Sequence, residues 1–351
     1  MTRSPNRKTR PTAGPPRTGQ HVKKTQDAIK FLKDGFERRL SRALNLQRVS
    51  APLFVQASSG LNDHLTGVES PIRFRIKHTG EEAEIVQSLA KWKRMALAEY
   101  GFGAGEGLYT DMNAIRPEER LDDLHSIYVD QWDWERVMAP GERTLGFLRF
   151  IVRKIYRAIR GMESAACRKI PELPGPFLPP SIRFVHSEDL AARFPDLEPR
   201  ERENAICREA GAVFVIGIGS VLADGRPHDG RAADYDDWTT ETGGGRRGLN
   251  GDILVWYPPL KRAMELSSMG IRVDPETMRR QLALKGEERK AALPFHRRLL
   301  AGELPQTIGG GIGQSRLCMF FLRKIHVGEV QASIWPEAMR EECRSRGAIL
   351  L

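Results

Sequence analysis

The sequence predicts an α+β fold with a largely antiparallel sheet flanked by helices. Several short runs alternate apolar and polar residues, as strands with one buried face do. Other runs repeat apolar residues every three or four positions, as amphipathic helices do. The strand-like runs occur both in direct succession and separated by helical runs. This mixture favours hairpins in a layered α+β fold over a regular alternation of parallel units.

The composition is that of a globular protein whose positive charge is concentrated at one end. Of 351 residues, 40% are hydrophobic and 28% are charged, which suits one large domain or two small ones. The net charge of +10 suggests a nucleic-acid partner, but residues 1–24 contain seven basic residues and no acidic one. The remainder is nearly balanced, so no nucleic-acid partner is predicted. Residues 1–24 lack large apolar side chains, and we predict a disordered basic tail there.

Targeting signals and cysteines point to the cytoplasm. The basic start could be a transit peptide, but its prolines oppose the amphipathic helix that such peptides form. It also lacks the apolar segment of a secretory signal, and the longest apolar stretch, residues 210–223, is too short and glycine-interrupted to span a bilayer. No membrane partner is therefore predicted. The spacing of the cysteines fits neither zinc ligands nor a disulfide framework, so we expect reduced thiols at Cys167, Cys207, Cys318 and Cys343.

The first predicted elements are a helix over residues 25–46 and a strand over 46–56. The helix has one apolar face, formed by Ile29, Leu32, Phe36, Leu40 and Leu44. Pro52 cannot donate to a ladder, so the strand belongs at a sheet edge. Such an edge beside a long helix either meets a partner subunit or is a proline-ended surface strand.

Two further strand-like runs surround a helical one. Residues 71–77 predict a strand that buries Ile72, Phe74 and Ile76, and residues 84–100 have helical spacing. The run 125–135 has a two-residue period, which gives one face the side chains of Ile127, Val129, Gln131, Asp133 and Glu135. The polar end of that face indicates either a substrate pocket at the end of the sheet or a strand that leaves the core for solvent.

The second half continues the alternation. An apolar helical face is predicted from Leu145 to Ile159, followed by a proline-rich loop over residues 170–180. Strands are predicted at residues 182–186, 212–218 and 251–257, with helices near 187–210 and 275–287.

The glycine-rich stretch "IGGGIGQSRLCMFFL" (308–322) matches neither common phosphate-binding loop. Reading from Gly311 and Gly313, Arg316 occupies the place of the third glycine of a dinucleotide fingerprint. A P-loop requires a lysine directly after the glycines, and none follows before Lys324. The stretch predicts a flexible turn that presents Arg316 at the start of an apolar helix, for a phosphate or an adenine ring. The alternative is a tight turn with a surface arginine.

Carboxylates lie beside apolar strands in the second half. Asp236, Asp252 and Glu265 would be costly to bury without a cationic partner. Magnesium carried by a nucleotide is one candidate, because Mg2+ takes one or two carboxylates together with phosphate oxygens. Neutralisation by Arg231, Arg272 or Arg316 is the alternative. The histidines show no metal-binding spacing.

Taken together, several motifs in this order resemble a known family. They are "DHLTG" (63–67), "SLAKWKR" (88–94), "GEGLYTDM" (105–112), "NAIRPEER" (113–120), "YVDQWDWERV" (128–137), "DYDDW" (234–238), "GLNGDILVW" (248–256), "ELSSMGIRVD" (265–274) and "PQTIGGGIGQSRL" (305–317). The chain thereby resembles, over roughly residues 25–340, the ammonia-dependent asparagine synthetases, which are built on the catalytic core of class II aminoacyl-tRNA synthetases. The resemblance implies that core's antiparallel sheet with flanking helices, a single catalytic domain over residues 25–351, and a homodimer.

The resemblance also implies an activity and its residues. Aspartate would react with ATP to give β-aspartyl-AMP and pyrophosphate, and ammonia would then displace AMP, with ATP and Mg2+ as cofactors. The catalytic residues implied are Asp63 for ammonia deprotonation, Arg116 for the α-phosphate, and Gln131 for the β-carbonyl. The aspartate-binding residues implied are Ser88, Lys93 and Asp133, the ATP-binding residues Arg231, Asp236, Ser267, Arg272 and Arg316, and the metal ligands Asp252 and Glu265.

Two departures and two alternatives accompany the resemblance. The loop 239–251 is more basic than is usual in the family, and the "RPEER" segment is one residue shorter than in some members. An enzyme that charges tRNA with aspartate or asparagine is the runner-up, but it predicts an anticodon-binding barrel of about 100 residues before the core. A non-enzymatic sensor of aspartate or AMP would predict loss of the metal carboxylates, and Asp252 and Glu265 are present.

Overall fold

A computed structural model describes residues 18–63 and 69–351 of the chain. The strands there, in chain order, are β1 (Leu46–Arg48), β2 (Phe54–Gln56), β3 (Arg73–Arg75), β4 (Glu82–Ile85), β5 (Gly107–Ile115), β6 (Tyr128–Val137), β7 (Arg183–His186), β8 (Ala212–Ile216), β9 (Glu241–Gly243), β10 (Arg246–Arg247), β11 (Asn250–Tyr257), β12 (Arg262–Ile271) and β13 (Thr307–Gly313). The α-helices are α1 (Thr18–Leu44), α2 (Ala90–Glu99), α3 (Leu145–Lys169), α4 (Ser187–Arg193), α5 (Pro199–Ala210), α6 (Pro275–Lys285), α7 (Pro294–Leu300), α8 (Gln314–Leu322) and α9 (Glu337–Ser345).

An eight-stranded sheet in the order β1-β5-β6-β13-β12-β11-β8-β7 forms the centre of the fold. Its inner pairings are antiparallel, and only the edge strands β1 and β7 pair in parallel with their neighbours. The predicted α+β fold with a largely antiparallel sheet is confirmed. A small sheet β2-β4-β3 and a hairpin β9-β10 accompany it, and the hairpin lies within the basic loop 239–251. No helix in residues 18–63 or 69–351 is long and apolar enough to cross a membrane.

Two long helices pack against each other and cover one part of the sheet. On α1 the predicted apolar face is buried, and on α3 Leu148, Ile151, Val152, Ile155 and Ile159 are buried in the same core. The Thr144 side chain caps α3 by accepting from the Phe147 backbone N–H at 3.1 Å. Helix α1 begins at Thr18, so residues 18–24, which the sequence assigned to the tail, are helical. The rest of the predicted tail, residues 1–17, lies outside the described residues.

The predicted strand 46–56 is instead two strands in different sheets. Residues 49–53, which include Pro52, connect β1 to β2 without strand pairing. Proline has no backbone N–H, so in the middle of a ladder it would leave a carbonyl of the neighbouring strand without a donor. The predicted strand is therefore interrupted here. Both β1 and β2 lie at sheet edges, as the proline predicted.

The predicted strand 71–77 is shorter and more exposed than expected. Only β3 is extended there, and Phe74, expected to be buried, is 38% exposed. The reason is that β3 is the outer strand of the small sheet. The helix predicted from the spacing of residues 84–100 is also shorter than expected, because the first of these residues belong to strand β4 and α2 starts at Ala90.

The glycines of 308–313 form a central strand, so the predicted turn is wrong. Strand β13 pairs with β12 on one side and β6 on the other. A Cβ at Gly309 would overlap the Glu135 carboxylate, and one at Gly311 would overlap the Gln131 amide. The glycines therefore make room for the polar side chains of β6, which are too large to lie beside a side-chain-bearing strand. Glycine spacing alone did not distinguish this from a turn.

The Gly309→Ala substitution is expected to lower the free energy of unfolding by at least about 3 kcal/mol, because the new methyl group would disturb a buried ion pair. The thermal unfolding midpoint measures this loss. Gly146→Ala in α3 is the matched control, since the nearest atom to its added Cβ is the Thr144 hydroxyl oxygen at 3.7 Å. The control should keep or raise the midpoint. Equal midpoints for the two variants would contradict the steric role of Gly309.

Candidate active site

A polar cavity of about 460 Å³ lies between β6, β12, β13, α8 and the loops around residues 116–126 and 229–235. Several predicted site residues are among those that line it, namely Arg116, Gln131, Arg231, Glu265 and Arg316. These residues come from distant parts of the sequence, and the sheet brings them together. The polar end of the β6 face thus opens on a pocket and does not run out into solvent.

Arg316 lies in the first turn of α8 and is held by groups on two sides. Its Nε donates to the Leu124 carbonyl at 3.3 Å, and its Nη1 donates to the Glu265 carbonyl at 3.4 Å. The Glu265 carboxylate lies 3.8 Å from the same guanidinium. These contacts fix the orientation of the cation at the cavity wall, which suits an anionic or planar ligand.

Arg116 lies directly after β5 and lines both the main cavity and an adjoining one of about 130 Å³. Its backbone N–H donates to the Ile127 carbonyl at 2.8 Å, which fixes the start of the loop. Its Nε is buried and has no hydrogen-bond partner within the described chain. A buried cation with an unused donor is suited to binding an anion.

Two carboxylates, Asp252 and Glu265, lie on the paired strands β11 and β12, and Glu265 lines the cavity. Arg231 donates to Asp252 Oδ2 at 2.5 Å, while the buried Oδ1 has no partner among the residues that the structure describes. Burial raises the pKa of Glu265, and the negative charge of Asp252 raises it further. Burial also raises the pKa of Asp252, although Arg231 opposes this shift.

This pair has the properties of a divalent cation site that is completed by a ligand. The orphaned Oδ1 and the mutual repulsion of the two carboxylates would both be relieved by a cation. The described residues contain no cluster of three or more histidine, cysteine or acidic side chains suited to a metal. Mg2+ does not require one, because it is bound by one or two carboxylates plus phosphate oxygens and water. The residues present therefore fit Mg2+ brought by a nucleotide.

Arg272 and Asp236, predicted to bind ATP, instead pair with each other beneath the cavity. Arg272 is only 3% exposed, and it also donates to both Glu135 oxygens, at 3.0 and 2.8 Å. Burial opposes its charge, but Glu135 and Asp236 more than compensate and raise its pKa. Its donors are occupied because Gly309 lets the Glu135 side chain reach it across the sheet.

Lys93 and Asp133 are brought together as predicted, but they contact each other. Lys93 is fully buried and donates to the Asp133 carboxylate, the Trp134 carbonyl at 2.9 Å and the Gly310 carbonyl at 3.3 Å. Asp133 also accepts from the Leu89 backbone N–H at 3.2 Å, at the start of α2. The Ser88 hydroxyl accepts from the Ala90 N–H at 3.2 Å. The three predicted aspartate-binding residues thus surround the N-terminus of α2.

Ser267 does not line the cavity, and its neighbour Ser268 does. The Ser267 hydroxyl is buried without a hydrogen-bond partner in the described chain, whereas Ser268, which pairs with Asp252 in the β11–β12 ladder, lines the cavity. The register of β11 and β12 shifts between Ile253 and Leu254. Such a bulge re-aims the side chains that follow it, and no residue pattern in the sequence marks its position.

Asp63 lies at the edge of the described chain, and residues 64–67 of its matched block lie outside it. Its side chain is buried, and its backbone N–H donates to Asn62 Oδ1 at 2.9 Å. Burial raises the pKa of Tyr235, and the negative charge of Asp63 raises it further. Because Tyr235 lines the cavity, Asp63 acts electrostatically on its wall.

The sequence reasoning missed several lining residues, namely Asp130, Tyr235, Ser268, Ser315 and Gln331. Four of them lie within matched blocks beside residues that were chosen, so the blocks themselves carried the signal. Asp130 lies at an even-numbered position of β6, outside the odd-numbered face that the two-residue period singled out. Gln331 follows α8 in a segment without a recognised motif.

Known proteins of one family are similar to this chain over most of its length. A family model described as aspartate–ammonia ligase matches residues 23–347. A protein of Parabacteroides distasonis named aspartate–ammonia ligase is 56% identical over 332 residues, which cover 94% of this chain and 96% of that protein. One of Bacillus cytotoxicus with the same name is 57% identical over 323 residues, covering 92% of this chain and 96% of its own length.

Solved structures with a similar fold are class II aminoacyl-tRNA synthetases. Asparaginyl-tRNA synthetase of Pyrococcus horikoshii, complexed with asparaginyl-adenylate, aligns with a TM-score of 0.66 at 14% identity, covering 91% of this chain and 72% of that one. The Entamoeba histolytica asparaginyl-tRNA synthetase aligns with a TM-score of 0.63 at 15% identity, covering 89% and 67%. At such identity the likeness shows the fold alone and gives no support to tRNA charging. The family match and the close relatives show that this chain belongs to the aspartate–ammonia ligase family.

Proposed function

We propose that this protein converts L-aspartate, ammonia and ATP to L-asparagine, AMP and pyrophosphate through a β-aspartyl-AMP intermediate. The observation that carries the proposal is the cavity that Arg116, Arg316 and Glu265 line together, with Asp252 paired to Arg231 of the same lining. Cations for phosphates and carboxylates for a divalent ion are the groups that adenylation requires. The close relatives carry the name of this activity.

In the first step, an oxygen of the aspartate side-chain carboxylate attacks the α-phosphorus of ATP, and the bond to the pyrophosphate oxygen breaks. Negative charge grows on the α-phosphoryl oxygens and on the leaving group. Arg116 stabilises the former through its unused donor, and Arg316 holds the nucleotide. Asp252 and Glu265 would hold Mg2+, which when bound neutralises charge on the phosphates.

Aspartate recognition uses the internal Lys93–Asp133 pair. We propose that the substrate's α-carboxylate replaces Asp133 as the partner of Lys93, while its amino group replaces Lys93 as the partner of Asp133. Ser88, at the start of α2, adds a hydroxyl donor to the carboxylate. The exchange keeps every buried charge paired, so little desolvation cost is added on binding.

In the second step, ammonium loses a proton, and the resulting ammonia attacks the β-carbonyl carbon of the adenylate. That proton passes to Asp63. The attacking nitrogen then gives up a second proton to the departing AMP phosphate as the bond to the AMP oxygen breaks, which releases AMP and asparagine. Gln131 donates its amide to the β-carbonyl oxygen and orients it for attack. Its side chain lines the cavity beside Gly311, where no Cβ competes for the space.

The working form is proposed to be a cytoplasmic homodimer that acts on small molecules without nucleic acid or membrane. The edge strand β1 and helix α1 supply the surface for the second copy. Size measurement in solution tests the dimer.

The purified protein, given aspartate, ATP, Mg2+ and ammonium, is expected to release AMP and pyrophosphate in equal amounts with asparagine. Chromatographic separation of nucleotides measures the products. Omitting aspartate is the control and should leave ATP intact. ADP and phosphate as products would exclude an adenylate route.

Arg116→Ala is expected to slow adenylation by about 100- to 1000-fold, because a buried donor to the developing phosphoryl charge is lost. Aspartate-dependent exchange of pyrophosphate into ATP measures this step. Arg120→Ala, an exposed arginine in the same loop, is the matched control and should exchange normally. Both variants should keep the wild-type unfolding midpoint. Normal exchange in Arg116→Ala would remove this residue from the mechanism.

Asp63→Asn is expected to leave pyrophosphate exchange close to wild type and to slow asparagine formation by about 100-fold, because only the second step requires a base. Asp34→Asn, a half-exposed carboxylate on α1, is the control and should affect neither. If exchange disappears in Asp63→Asn, the assignment of Asp63 to ammonia is wrong.

A further inference from the structure

Helix α8, which carries Arg316, has no N-terminal cap from its own segment. The residue at the cap position is Gly313, which has no side chain to accept from the first backbone N–H groups. A carboxylate from β6 takes this place, since Asp130 Oδ1 accepts from the Ser315 N–H at 3.0 Å. The negative charge at this helix end is also favoured by the helix dipole.

Two further side chains fix the Asp130 carboxylate. Gln331 Nε2 donates to Asp130 Oδ1 at 3.3 Å and to the Ser315 hydroxyl at 3.0 Å, which closes a ring around the helix start. Lys33 of α1 donates to the other oxygen, Oδ2, at 2.9 Å. Burial opposes the charge of Lys33, but Asp130 more than compensates and raises its pKa. Both Asp130 oxygens therefore have partners, and these partners come from three different segments of the chain.

This cap is adjacent to the cation that faces the cavity. Arg316 directly follows Ser315, so the backbone from which its side chain extends is the turn that Asp130 holds. Within the part of the chain that the structure describes, the guanidinium itself donates to the Leu124 and Glu265 carbonyls and lies 3.8 Å from the Glu265 carboxylate. Asp130 is 6% exposed and lines the same cavity. A shift of this turn would move Arg316 relative to its ligand, and small misplacements of binding groups are costly.

We propose that Asp130 is a positioning residue for ATP binding, which caps α8 from β6 so that Arg316 faces the nucleotide, and that Lys33 of α1 holds the Asp130 carboxylate in place. The inference rests on the proposed function, because it assumes that ATP occupies this cavity. The proposal gives helix α1 a role in the site through one ion pair, between Lys33 and Asp130. Asp130 touches no reacting atom and acts through Arg316.

The test measures the dissociation constant of ATP by equilibrium binding, with full-length protein and with the unfolding midpoint recorded for each variant. Asp130→Ala is expected to weaken ATP binding about five- to tenfold, the usual scale of a lost cap. Asp130→Asn keeps an acceptor for Ser315 but loses the charge that Lys33 contacts, so a smaller loss of about threefold is expected. Binding of aspartate should stay within about twofold of wild type in both.

Lys33→Met tests the second half of the proposal with a side chain of similar size. It is expected to weaken ATP binding about two- to threefold, since the carboxylate keeps its hydrogen bonds to Ser315 and Gln331. Lys30→Met is the matched control, because Lys30 is an exposed lysine one turn away on the same helix that pairs with Asp34. This variant should bind ATP as wild type does. Equal affinities for the two lysine variants would overturn the role of Lys33.

A double-mutant cycle separates positioning from simple stabilisation. In an Arg316→Ala background, Asp130→Ala should weaken ATP binding by less than about twofold further, because its effect passes through the missing arginine. If the full five- to tenfold loss persists there, or if Asp130→Ala lowers the midpoint without changing ATP affinity, Asp130 is structural and the proposal is overturned. Wild-type protein that forms no AMP from aspartate, ATP and ammonium would instead reject the proposed function.

Discussion

The buried ion pairs beneath the cavity are the constraint on which the rest of the structure depends. Glu135 accepts from Arg272 and from the Thr307 hydroxyl, and Lys93 lies 3.7 Å away. Burial opposes ionisation of Glu135, but Arg272 and Lys93 more than compensate and lower its pKa. Removing one partner of such a pair leaves an uncompensated buried charge, at about 3–5 kcal/mol. The strands that supply these side chains must therefore keep their register, because each shift by one residue would turn a charge into the apolar core.

The glycines of β13 follow from the same constraint. Charged side chains of β6 reach across the neighbouring strand, and only a strand without side chains at Gly309 and Gly311 leaves them space. The cavity floor is thereby a rigid, fully paired layer. The walls above it carry the groups with unused capacity, such as the Arg116 Nε and Asp252 Oδ1. This division between paired charges beneath the cavity and unpaired groups above them suits a preorganised binding site, since Glu135, Arg272 and Asp236 have their partners before a charged ligand arrives.

The buried carboxylates near the cavity differ in how much positive charge surrounds them. Glu135 has cations close on both sides, and its pKa falls in spite of burial. Asp252 and Glu265 share too little positive charge, and burial raises their pKa values. A divalent cation would remove this imbalance. The contrast marks the carboxylates whose charge a bound cation would balance, and it rests on three-dimensional distances that no sequence pattern contains.

The sequence by itself determined the α+β class, the apolar faces of α1 and α3, most strands of the large sheet, and the set of blocks that surround the cavity. The class, the helix faces and the strands follow from periodicity, which is a local property, and the blocks follow from the resemblance to a known family. Tertiary structure alone decided that residues 308–313 are a strand, that Ser268 and not Ser267 faces the cavity, and that Arg272 and Lys93 are occupied by Asp236, Glu135 and Asp133. The physical reason is that a charge's partners and a strand's register are set by other segments of the chain, some of them more than a hundred residues away, so they exist only after the sheet has formed.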